Sequence, residues 1–166
     1  MPVKKTPGSD NFSVWAQGKV DSMRDAVLLM LEDVGNVCIG AMRGNDRTRY
    51  KDRTNNLRSS TGYIVVDGGT VVETSGFKPE GNGKDGDGAV GSEKGTSYAE
   101  SLSKGVHDGE MALVLVAGMN YAAYVEAKGL DVLNSAKLLA KKEVKEELDY
   151  LMKNGTRKGN ANRPKY

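Results

Sequence analysis

The sequence predicts an α+β domain in which long N-terminal and C-terminal helices pack on a small, mainly antiparallel β-sheet, with a long glycine-rich loop. Three observations carry this. Ala16, Val20, Met23, Val27, Met30, Val34, Val37 and Ala41 recur at alternating steps of four and three, the apolar stripe of a long amphipathic helix. Tyr63–Val66 and Thr70–Thr74 are rich in β-branched residues and flank Asp67-Gly68-Gly69, a hairpin signal, because a tight turn needs positive φ. Met111–Ala117 (Met-Ala-Leu-Val-Leu-Val-Ala) is apolar without alternation and too short for a helix, so it reads as a central strand buried on both faces.

Residues 1–12, with Pro2, Lys4, Lys5, Pro7 and Gly8, read as a flexible arm, and Ser13 as the cap of the first helix. Gly18 and Gly35 weaken that helix by up to about 1 kcal/mol each. Residues 43–58 form the basic part of the chain. Residues 76–98 hold seven glycines, at 76, 81, 83, 86, 88, 91 and 95, and read as an exposed loop that orders on a partner. Gly81-Asn82-Gly83-Lys84-Asp85-Gly86 fits the dinucleotide fingerprint literally, but Asp87-Gly88-Ala89-Val90-Gly91 does not read as the helix that the fingerprint requires. Asp85 and Asp87 begin like a calcium loop but lack its later ligands. No cofactor or metal is therefore expected.

His107 precedes Asp108-Gly109 and reads as a solvated turn residue. In Tyr121–Val125, spacings of three and four put Tyr121, Tyr124 and Val125 on one face of a helical turn, which Gly129 then ends. The last helix begins near Asp131 or Asn134, either of which caps it, and buries Leu133, Ala136, Leu139 or Ala140, Val144, Leu148 and Leu151. Asn154-Gly155 closes it. Residues 154–166 form a basic tail, leaving 13–153 as a single domain.

Composition narrows the function. Lys and Arg number 24 against 22 Asp and Glu, a balance that excludes nucleic-acid binding by overall charge and leaves only local contacts. The one cysteine, Cys38, lies on the apolar face of the first helix and reads as a core residue of a protein made in a reducing compartment. A polar start and the lack of any long apolar run predict neither secretion nor membrane insertion. No paired base and nucleophile is visible, so catalysis is not expected and no catalytic residue is assigned.

Thr54-Asn55-Asn56-Leu57-Arg58-Ser59-Ser60 leads into the strand Gly62-Tyr63-Ile64-Val65-Val66, and Tyr121-Ala122-Ala123-Tyr124-Val125-Glu126 is followed by Gly129. In this order, with a long helix before and after, the motifs resemble the tail-component or tail-completion family of tailed double-stranded DNA bacteriophages, over residues 20–152. The glycine-rich insert is longer than that family's, and Lys128 intervenes before Gly129. The resemblance implies a structural virion protein, made in the host cytoplasm, that forms a homo-oligomeric ring at the neck or upper tail beside neck, connector or tail-tube proteins.

Two sets of interface residues are expected. Tyr63, Val65 and Val71 lie on a hairpin that offers an unpaired edge, and Tyr121 and Tyr124 form a face suited to a half-wet contact. Arg58 and Glu126, one from each motif, are expected to form a structural ion pair. Arg43, Arg47, Arg49, Lys51, Arg53, Arg157 and Lys158 are candidates for contact with DNA or an acidic neighbour. A small DNA-binding or assembly-factor protein using these basic residues is the alternative reading.

Overall fold

The computed structural model describes residues 9–43, 50–79 and 86–155. In chain order these form α1 (Ser9–Arg43), α2 (Asn56–Ser59), β1 (Thr61–Asp67), β2 (Thr70–Gly76), α3 (Ala89–Ser103), β3 (Met111–Ala117), α4 (Ala122–Ala127) and α5 (Asn134–Asn154). The three strands make one antiparallel sheet in the order β2-β1-β3. The α+β class with a long helix toward each end is what the apolar periodicity predicts.

The period of two along β1 divides the core into layers. Tyr63 and Val65 point to the face covered by α1 and α5, where they meet Met30, Val34, Cys38 and Ala136. Ile64 and Val66 point to the opposite face and pack with Phe77, Ala99 and Val116 under α3. Strand β1, covered on both faces and paired on both edges, is the buried centre of the molecule. This corrects the expectation for Met111–Ala117: β3 is covered by helices on its faces but pairs only with β1, so it is an edge strand. Its apolar run reports the helices above and below, not its lateral place.

The hairpin turn is as expected. Gly68 and Gly69 have φ of 55° and 79°, the paired positive values of a type I′ turn. Arg24 clamps the turn to α1 with a bidentate contact in which Nε donates to Asp67 Oδ2 at 2.9 Å and Nη2 to Oδ1.

The glycine-rich stretch is the main correction. Residues 80–85 lie outside the described residues, but from Ala89 the chain is helical, so the last ten residues of the expected loop belong to the 15-residue helix α3. Its buried positions are Gly91, Gly95, Ala99 and Ser103, a stripe of small residues at steps of four. A Cβ on Gly91 would lie 2.0 Å from the Asn56 carbonyl oxygen, and one on Gly95 2.6 Å from that of Ser60. The glycines are there because backbone meets backbone, and Asn56 Oδ1 accepts from the Gly91 N–H at 3.1 Å. Val37 is only half-buried, and the stripe that α1 buries runs instead through Val34, Cys38 and Met42.

The start of α1 differs from the expectation, and that of α5 agrees with it. Helix α1 already includes Ser9–Phe12, so Ser13 lies inside it and not at its cap; the rest of the expected flexible arm, residues 1–8, lies outside the described residues. Helix α5 starts after Leu133, which supplies no side-chain cap. Glu126 Oε1 accepts from the backbone N–H groups of Leu133 (3.0 Å) and Asn134 (2.7 Å), and Asp131 Oδ1 from that of Ser135 (3.1 Å). These carboxylates satisfy donors that the first turn of a helix leaves free.

Candidate functional site: surfaces left without a partner

Helix α1 has 35 residues and is about 52 Å long, whereas a strand of seven spans about 23 Å. The helix must overhang its sheet. Burial sets in only at Met30, and the arm before Arg24 stands clear of the body. On it Phe12 (68% exposed), Trp15 (60%), Val20 and Met23 are open, with the Phe12 and Trp15 rings 5.9 Å apart. Phe12, Ala16, Val20 and Met23 continue, at helical steps, the stripe that Val27, Met30 and Val34 bury farther on. The core-facing stripe thus runs on past the end of the core.

The outer edge of β3 is the second such surface. The Gly68 N–H donates to Glu110 C=O at 2.9 Å and the Gly118 N–H to Ser60 C=O at 3.1 Å, which fixes the parity of the ladder. Even-numbered residues of β3 bond to β1, so the N–H and C=O groups of Met111, Leu113, Leu115 and Ala117 face outward. Strand β3 carries no charge, proline or bulge to blunt this edge, while β2, the other edge, has a bulge opposite Val65/Val66 and Glu73. Beside β3, between it and α5, lies an apolar groove of about 630 Å³ lined by Leu31, Met111, Leu113, Ala140, Val144 and Leu148, with Lys141, Lys145 and Asp149 on its rim.

The third surface surrounds α4. Gly129 has φ 79° and its N–H bonds to the Glu126 carbonyl, ending the turn as the sequence indicates. Tyr121 and Tyr124 are both exposed there, Tyr124 at 64%, and Lys128 Nζ sits 5.1 Å from the centre of the Tyr124 ring.

The structure sorts the expected site residues accordingly. Tyr121 and Tyr124 are open to a neighbour. Tyr63 and Val65 are not: at 1% and 0% exposure they belong to the core of this chain. Val71 is half-buried against the α3 layer. The hydrogen bonds of Glu126 run to the start of α5, and the side chain of Arg58 lies beside Tyr50, whose phenol burial pushes up against the lowering effect of that guanidinium. The expected Arg58–Glu126 pair is therefore replaced by two separate structural roles.

Among the basic candidates, Arg43 is drawn inward: Nη2 donates to Thr61 C=O at 2.8 Å and Nε to Thr61 Oγ1 at 3.4 Å. Lys51 and Arg53 are exposed, while Arg47, Arg49, Arg157 and Lys158 lie outside the described residues. Cys38 is buried, its Sγ 3.5 Å from Ala136 O, and burial with the nearby Glu143 carboxylate pushes its thiol up to about 11. His107 is exposed in a turn, as expected.

Among the described residues, no helix is long and apolar enough to cross a membrane and no group of three or more His, Cys, Asp or Glu is gathered for a metal ion. Sequence reasoning missed the arm and the β3 edge. The arm had a signal, since a stripe that long exceeds any sheet one hairpin and one strand can build. Comparison with protein-family models, with curated proteins and with solved structures gives no match.

Proposed function

We propose that this chain is a structural subunit of a tailed-phage particle that assembles into a ring at the neck or upper tail, completing the tail or joining it to the head. The observation that carries the reading is that the described residues leave two different apolar surfaces uncovered among themselves, the α1 arm and the groove beside the β3 edge. Closed rings are built from contacts of this kind, in which one patch meets a different patch on the next copy. The resemblance of the Thr54–Ser60 and Tyr121–Glu126 segments supplies the particle. Of the basic residues behind the alternative DNA-binding reading, Arg43 is committed to Thr61, while Lys51 and Arg53 are exposed.

Native mass spectrometry of the purified chain over a wide concentration range tests the assembly. A single closed stoichiometry above a threshold supports the ring, and an open-ended ladder or a strict dimer opposes it. The genes beside the coding sequence test the setting, since portal, capsid and tail-tube genes are expected there.

A further inference from the structure

We infer that the α1 arm of one copy lies in the groove between β3 and α5 of the next, so that Phe12, Trp15, Val20 and Met23 cover the bare β3 edge of a second copy of this chain. The inference deepens the ring reading by naming its contact, and rests on that reading for its setting.

The arm needs cover. Most helical stability in proteins comes from packing an apolar face, and here that face holds the chain's single tryptophan in the open. The groove needs cover as well, because its wall is a strand edge with outward N–H and C=O groups and apolar neighbours, and a helix laid along it is one of the ways native proteins protect such an edge.

The arm cannot reach the groove of its own chain. Leu31 of α1 lines the groove, and Phe12 stands 19 residues before it on the same unbroken helix, about 28 Å away. The arm would have to break to fold back.

A second copy meets both needs without any change of fold. Phe12 to Met23 spans about 16 Å of helix, and the α5 wall from Ala140 to Leu148 about 12 Å, so the two apolar lengths match. The signs of the charges lean the same way: with Arg24 held by Asp67, the exposed Lys19, Asp21 and Asp25 leave the arm one negative charge, and Lys141, Lys145 and Asp149 leave the groove rim one positive charge. The contact joins unlike patches, so it propagates head to tail and is compatible with a closed ring.

Trp15 makes the contact visible. In the full-length chain its emission should move to shorter wavelength as concentration rises and the ring leaves water. The arm variant Phe12→Ala/Trp15→Ala/Val20→Ala, which has no tryptophan, should self-associate at least ~30-fold more weakly, the loss expected when a central aromatic anchor is removed.

The groove variant Val144→Lys should keep its emission at the exposed wavelength at every concentration. If Val144→Lys does not keep the wild-type circular dichroism, Lys141→Glu/Lys145→Glu, altered only at exposed rim positions, serves in its place.

The decisive sample is the mixture of arm and groove variants. Its only tryptophan belongs to the copy with the blocked groove, and that arm can enter only the intact groove of the other copy. A recovered shift to shorter wavelength in the mixture supports the contact. Emission that stays at the exposed wavelength in wild type at every concentration, or in a mixture of folded variants, overturns it. If rings still form while Trp15 stays exposed, this contact is wrong and the ring reading stands.

Discussion

Gly95 of α3 and Gly118, just after β3, stand back to back: a Cβ built on Gly118 would come within 2.4 Å of the Gly95 Cα. No side chain fits between the helix and the strand end, and this contact sets how closely the α3 layer approaches the sheet. Gly118→Ala should therefore lower stability by about 1–3 kcal/mol through overpacking. Gly18→Ala, on the exposed arm with nothing within 4 Å, should raise it by up to about 1 kcal/mol. Denaturant midpoints at equal m-value read both, and a neutral Gly118→Ala would show that the layers can separate without loss.

Removing the Glu126 carboxylate leaves two backbone N–H groups at the start of α5 without their acceptor. Glu126→Ala is expected to cost about 1 kcal/mol, the usual loss for a helix cap. Because Arg58 sits beside Tyr50, the Arg58→Met and Glu126→Ala losses should add within about 0.5 kcal/mol. A coupling energy above 1 kcal/mol in the double-mutant cycle would restore the ion pair.

Alkaline pH should weaken the fold through Cys38. Its thiol ionises near 9 in the unfolded chain and is pushed up to about 11 in the folded one, so above pH 9 the folded state holds the proton that the unfolded state has lost. Stability from this group is complete below pH 9 and falls as pH rises toward 11, by at most about 1.4 kcal/mol per pH unit. Above pH 10 the phenols of Tyr50 and Tyr63, both pushed up by burial, add to the loss. Cys38→Ala should flatten the stability profile between pH 9 and 10, and an unchanged profile would remove Cys38 from the account.

Much of the fold could be read in the chain because its signals are local. The stripe of α1 and α5, the Gly68-Gly69 turn and the Gly129 stop each depend on residues within a few positions of one another. Helix α3 was hidden because glycine ordinarily breaks helices. The step of four through Gly91, Gly95, Ala99 and Ser103 becomes a packing face only when Asn56, Ser60 and Gly118 are brought opposite.

The same limit applies to the surfaces. Tyr63 and Val65 have an interface composition but sit on the central strand, and which strand is central depends on long-range pairing. Tyr121 and Tyr124 are exposed because α4 is a single short helix at the surface, a placement its own spacing already suggests. The overhang of α1 emerges only when helix length is set against strand length.

Ring assembly in a tailed-phage particle is the function proposed, and cryo-electron microscopy of particles purified from the source that encodes this chain tests it most directly. The account predicts several copies arranged about the tail axis at the neck or upper tail, with the same contact repeated from each copy to the next. Absence of the protein from the particles, or isolated copies without repeated self-contacts, would contradict it.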